Sequence, residues 1–143
     1  MASRVFLDAN VLLDLTLERE HHAVAREVMT LVISGRVQGY VTPSVIHTIG
    51  YFLEKAFGTT KAREILVALL NDLISIDITH EEVLAALHSS IRDTEDALQY
   101  YAALNYRIDY FISRDKQLKK EAMSALPVYT PEEFLKETRA NKK

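Results

Sequence analysis

The sequence predicts an α/β fold built on a parallel sheet, and three observations carry that expectation. Short apolar runs of strand character recur five times along the 143 residues, and helical periodicity occupies the intervals between them. Strands alternating with helices in this way imply parallel strands covered on both faces. The third observation is Asp8, which ends the first apolar run, Val5-Phe6-Leu7. It stands at a strand's carboxyl end, where open parallel sheets keep their sites.

Each element has a local cause. Residues 5–7 form the first strand. Val11, Leu12 and Leu15 are spaced as one face of a short helix over 11–17. Val24, Val28, Leu31 and Val32 mark an amphipathic helix over 22–33, stopped at Ser34-Gly35. Tyr40-Val41-Thr42 is a second strand. Pro43 suits the first turn of the next helix, whose buried face is Val45, Ile46, Ile49, Phe52 and Leu53 and whose end is Gly58. Thr59 or Thr60 is expected to cap a further helix with Ile65, Leu66, Leu69 and Leu70 inward. Residues 74–78 alternate as an edge strand would, and Thr79-His80-Glu81-Glu82 opens a helix running through Val83, Leu84 and Leu87. Residues 93–106 make another helix, 109–113 a fourth strand and 127–129 a fifth, after which Thr130-Pro131-Glu132-Glu133 starts a last short helix. One domain is expected over residues 1–137, with a polar, frayed tail over 138–143.

Composition removes several function classes. The chain has no cysteine, which excludes disulfides and thiolate metal sites. Its four glycines form no phosphate-binding loop after the first strand, so dinucleotide and P-loop fingerprints are absent. A net charge of −3 argues against holding nucleic acid by bulk electrostatics, though a carboxylate site contributes negative charge of its own. Apolar stretches fall short of a membrane span, and no signal-peptide pattern precedes the first strand. A cytoplasmic protein without a membrane partner is expected. His21, His22, His47, His80 and His88 lack zinc-site spacing and read as structural, and Tyr100-Tyr101 reads as packing. Arg107, Arg114, Lys116, Lys119, Lys120 and Lys142-Lys143 read as a solvated face, with Arg114 and Lys116 also placed to steer a nucleic-acid backbone.

The chemistry-bearing pattern is acidic. Asp8, the group Asp93, Glu95 and Asp96, and Asp115 each lie at a strand end or a helix start. Taken singly, each has an ordinary explanation: Asp8 as an Asx turn or cap, Asp93 and Asp96 as a capping box, Asp115 as a surface turn. Asn10, two residues after Asp8, suits a cap or the orientation of a ligand water. Together, carboxylates converging on one rim of a parallel sheet make a site for hard divalent cations such as Mg²⁺ or Mn²⁺, which prefer oxygen donors. Such ions cleave phosphodiesters without a protein nucleophile, in keeping with the lack of a Ser-His-Asp or Cys-His arrangement.

Four blocks in order resemble the PIN domain family, of the small prokaryotic kind that includes VapC-type toxins. They are the run from Val5-Phe6-Leu7-Asp8-Ala9-Asn10 to Asp14, Asp93-Thr94-Glu95-Asp96 with the helix after it, Asp109-Tyr110-Phe111-Ile112-Ser113-Arg114-Asp115, and Pro127-Val128-Tyr129-Thr130-Pro131-Glu132-Glu133-Phe134-Leu135. The resemblance implies a three-layer α/β/α sandwich with a five-stranded, mainly parallel sheet. It further implies a Mg²⁺- or Mn²⁺-dependent endoribonuclease in which Asp8, Asp96 and Asp115 hold metal and a metal-activated water attacks RNA. Glu95 and Asp93 are implied as neighbouring acids, and Asn10 and Ser113 as small polar supports. One departure stands out: many PIN nucleases carry a Glu on the helix after the second strand, and Thr48 occupies that position here. Glu95 or Asp93 would then replace it from across the rim. An antitoxin protein and a homodimer are the partners that the resemblance implies. Thr48 also sustains a different expectation, a PIN-like RNA- or protein-binding module with little or no cleavage. A metal-dependent phosphatase on a related fold has less support, because the Asp8-Ala9-Asn10 turn has no second Asp two residues after the first.

Overall fold

The computed structural model describes residues 2–141; Met1 and the Lys142-Lys143 of the expected tail lie outside the described residues. In chain order the elements are β1 (Ser3–Leu7), α1 (Ala9–Thr16), α2 (His22–Ile33), β2 (Val37–Val41), α3 (Pro43–Phe57), α4 (Thr59–Leu70) and β3 (Leu73–Ser75). They continue with α5 (His80–Leu87), α6 (Thr94–Asn105), β4 (Tyr110–Ile112), α7 (Lys116–Glu121), β5 (Val128–Tyr129) and α8 (Pro131–Ala140). The five strands form one sheet in the order β3-β2-β1-β4-β5, parallel at every pairing. With helices on both faces, this is the three-layer α/β/α architecture expected from the sequence.

The order has a consequence for the site. From β1 the chain steps outward to β2 and β3, then returns to β4 on the other side of β1. The boundary between β1 and β4 is therefore the topological switch point, where crevices open at the carboxyl ends of the strands. Register sets what meets there: Leu7 pairs with Ile112, and the Asp8 N–H donates to the Ile112 carbonyl at 3.3 Å. Asp8 and Ser113 thus leave the sheet side by side.

Aromatic packing ties the strands to their covering helices. Phe6 and Phe111, register partners on β1 and β4, stack with centroids 4.7 Å apart, and Tyr100 of α6 packs on Phe111 at 5.8 Å. All three rings are fully buried. Because strand side chains alternate, Tyr110 faces the opposite layer, where Phe134 of α8 lies 5.5 Å away. The Tyr100 hydroxyl donates to the Leu126 carbonyl at 2.6 Å and accepts from the Met123 N–H at 2.7 Å. This anchors α6 to the segment that leads into β5.

The structure differs from sequence expectation at several element ends, each for a physical reason. β2 begins at Val37 rather than Tyr40, since Gln38-Gly39 carries little strand signal. Glycine fits closely there: a Cβ on Gly39 would lie 2.5 Å from Leu73 Cδ2 and 3.1 Å from Val32 Cγ1, so the leucine would have to shift. β3 is an edge strand as expected, but it spans Leu73–Ser75 and not 74–78. Its last ladder bond runs from Ile76 N to Val41 O at 2.8 Å, where β2 ends and the partner runs out. Neither Thr59 nor Thr60 caps α4. Gly58, with φ of 83°, reverses the chain so abruptly that Thr59 is already helical, and no side chain caps that end. The six-residue α7 was not expected, as Leu118 is its one buried residue and no periodicity marks it. The tail expected after Glu137 is helical to Ala140, carried on by a capping box of Thr130 and Glu133 and by the buried Phe134 and Leu135.

The double role of the Tyr100 hydroxyl makes a direct prediction. Tyr100→Phe leaves a half-buried N–H and a buried carbonyl short of a partner, so unfolding in urea should show a loss of about 1–3 kcal/mol. The far-UV circular dichroism should stay unchanged.

Candidate metal centre

Three of the candidate acids cap helices, and all of them are drawn to the switch point. Asp8 is the N-cap of α1, its Oδ1 accepting from Val11 N at 3.0 Å. Asp93 is the N-cap of α6, accepting from Asp96 N at 2.9 Å. Asp115 is the N-cap of α7, its Oδ1 accepting from Gln117 N at 2.9 Å and Leu118 N at 3.1 Å. Capping and metal binding are therefore compatible. One oxygen of each carboxylate accepts from the first-turn amides, and the positive ends of three helix dipoles moderate the concentration of negative charge.

Ser113 joins two of these acids. It is buried, its hydroxyl oxygen accepts from Asp115 N at 3.1 Å, and its proton stabilises the Asp8 carboxylate. Asp96 sits one turn before Tyr100 on α6, so the packing of Tyr100 on the sheet carries Asp96 to the same rim. There it feels the charges of Asp93, Asp115 and Asp8, and it is close enough to hydrogen-bond Asp115.

The acids are consequently hard to ionise together. Burial, helped by the charges of Asp115 and Asp14, raises the Asp8 carboxyl to about 6 against the lowering effect of Ser113 and Val11. Burial first, then Asp93 and Asp115, raises Asp96 to about 7. A divalent cation would reverse this, since opposite charge at close range favours the ionised form. Among the described residues no group of three or more His, Asp or Glu side chains stands close enough together to hold a metal ion. The donor set, all oxygen and crowded with like charge, is nevertheless the chemistry that suits Mg²⁺ or Mn²⁺.

The remaining candidates divide. Glu95 turns away from Asp96 towards α3, where Thr48 Oγ1 donates to its Oε1 at 2.9 Å and Gln99 Nε2 donates to the same oxygen at 3.1 Å. The position that holds Thr48 is thus bonded to an acid supplied by α6. Asn10 caps nothing; it is exposed on α1, its Oδ1 3.5 Å from Arg19 Nη1. Arg114 does not stand free to meet a backbone phosphate, because its guanidinium is paired with Glu132 at 2.9 and 3.1 Å and lies 3.6 Å from Asp14. Lys116 is exposed at the start of α7. Two residues near the centre escaped sequence reasoning. Asp14 is 6% exposed within an apolar stretch of α1, and Gln99 is buried on α6. A charged residue amid Val11, Leu12, Leu13 and Leu15 was the available signal for the first, since unpaired acids are almost never buried.

The class that fold and site define is a parallel α/β domain with carboxylates gathered at its switch point. Its sequence matches the family model of the PIN domain over residues 4–117, and the chain belongs to the PIN domain family. Solved structures of similar fold include a toxin-antitoxin complex from Klebsiella pneumoniae, with TM-score 0.67 and 19% identity over 89% of this chain and 97% of that one. VapBC2 from Rickettsia felis, bound to a promoter DNA fragment, is similar at TM-score 0.66 and 12% identity, covering 88% and 97% of the two chains. PAE2754 from Pyrobaculum aerophilum matches at TM-score 0.69 and 17% identity, over 98% of each. At such identities these likenesses concern the fold. No curated protein matches the sequence. Among the described residues no helix is long and apolar enough to cross a membrane.

The raised carboxyls dictate how the metal-free protein responds to pH. Their folded-state values of about 6 and about 7 lie above the unfolded value of 3.8, so the folded state holds these protons longer. Their stabilising share is complete below the unfolded value and is lost as pH rises through 6 and 7. In chelator, the melting temperature of Asp96→Asn should therefore exceed that of the wild type at pH 8, and the gap should narrow at pH 5. A scan of thermal unfolding at both pH values checks this.

Proposed function

We propose that the protein is a Mg²⁺- or Mn²⁺-dependent endoribonuclease, with Asp8, Asp96 and Asp115 as the metal-holding acids. The observation that carries this reading is the convergence of the three carboxylates at the β1/β4 switch point, with Asp8 and Asp96 kept partly protonated until a cation arrives. A divalent ion bound there would polarise a phosphodiester and activate the attacking water. The chain's own contribution is to cap and orient these acids beside one another. Ser113 orients Asp8 and Asp115, and Asp93 holds the first turn of α6, which carries Asp96.

Glu95 serves in this scheme as the acid that replaces the glutamate missing at Thr48. Thr48 and Gln99 both donate to its Oε1, which ties this acid to the position that lacks the glutamate. Lys116, exposed beside Asp115, is the cation placed to meet an RNA phosphate. The toxin-antitoxin neighbours support a toxin whose partner is a small antitoxin protein, acting in the cytoplasm. Exposed Tyr51, Phe52 and Phe57 on α3 and Val67 on α4 support a homodimer. A second reading, a PIN-fold binding module without cleavage, is favoured by one observation alone, the threonine at position 48.

Incubating a mixed RNA pool with purified protein separates the two. Cleavage should require Mn²⁺ or Mg²⁺, vanish in chelator, and fall by roughly a hundredfold or more in Asp96→Asn and Asp115→Asn. Folded protein that cuts nothing with either metal, yet retains RNA in a filter assay, is the module.

A further inference from the structure

We infer that Asp14, Arg114 and Glu132 form a clamp that fixes the turn between β4 and α7, and thereby sets the position of Asp115 relative to Asp8. The three are positioning residues. Ser113 and Asp115 point to the rim, and Arg114, between them, projects across the molecule onto two other elements. Its Nη1 and Nη2 meet Glu132 Oε1 and Oε2 at 2.9 and 3.1 Å, the two-pronged geometry that only arginine provides. Its Nε is buried without a hydrogen bond and lies 3.6 Å from Asp14 Oδ2. Asp14 is itself buried, with Arg19 Nη1 3.9 Å away as its other cation.

The geometry gives the clamp a specific effect. Asp8 and Asp14 belong to one short helix, as its N-cap and a residue near its end. Tying Arg114 to Asp14 therefore references the β4–α7 turn to the same rigid body that carries Asp8. Glu132, in the first turn of α8, supplies a second fixed point. The Glu132 arm is exposed and draws its hold from its two-pronged geometry, whereas Asp14, a buried acid facing a buried guanidinium nitrogen, cannot relax into solvent. With the fork occupied by Glu132, Arg114 contributes rigidity at the rim and not a phosphate contact.

The consequence for metal binding rests on the nuclease reading, whereas the clamp does not, and the experiment separates them. Amide hydrogen exchange of the full chain without metal, for wild type, Glu132→Gln and Arg114→Lys, reads the turn directly. Both variants should lose protection by roughly tenfold at Asp115, Gln117 and Leu118, about the worth of one charge-assisted hydrogen bond, while α3 and β1 keep theirs. Calorimetric titration with Mn²⁺ should then show dissociation constants raised by roughly tenfold, as for other residues that orient ligands. Unchanged protection at those amides, or an equal loss across the whole chain, overturns the clamp. Local loss with wild-type Mn²⁺ affinity overturns its role in placing Asp115. Tighter RNA binding by Glu132→Gln would make Arg114 a phosphate ligand and also overturn it. If the wild type itself binds no Mn²⁺, the nuclease reading fails, and hydrogen exchange alone decides the clamp.

Discussion

The pairing of Leu7 with Ile112 across β1 and β4 is the constraint on which the rest of the molecule depends. Strand side chains alternate with a period of two, so a slip of one residue would turn the rim residues onto the other face. It would also unstack Phe6 from Phe111 and remove the platform on which Tyr100 seats α6. Hydrophobic packing and the acidic centre are therefore set by one register. The core does not merely support the site from below; its aromatic stack specifies which carboxylates meet.

That economy extends to the helix ends. Each strand that delivers an acid is followed at once by a helix whose first amides need an acceptor, and the acid answers both needs. The local gain from capping offsets part of the repulsion created by gathering like charges. The remainder is visible in the raised carboxyls of Asp8 and Asp96, a stored instability of the kind that binding sites carry. A stability-optimised domain would place amides or serines at these caps. Under the proposed nuclease function, aspartate at each of them is a provision for a cation.

Much of this was legible in the sequence because it is local. Helix starts at Thr42-Pro43, Thr79 and Thr130 follow from the needs of a first turn, and in the structure all three threonines cap. The roles of Asp8 and Asp115 at strand ends followed from the apolar runs before them. What escaped was short or paired at a distance. β2 was truncated because Gln38-Gly39 reads as a break, although Gly39 gives room for the close approach of Leu73. α7 has too little apolar surface to show a period. Arg114 looked like a free cation because Glu132 and Asp14, which occupy it, are far off along the chain.

The sequence by itself determined the kind of chemistry available: oxygen donors, no thiolates, no glycine loop, and acids at the starts of helices. These follow from residue identity and from the backbone requirements of the nearest few residues, which no tertiary arrangement can alter. Only the tertiary structure decided which acids share a point and which look elsewhere. Glu95, beside Asp96 in sequence, bonds instead to Thr48, 47 residues away, because neighbouring residues on a helix point in different directions and the seating of α6 against α3 chooses the partner.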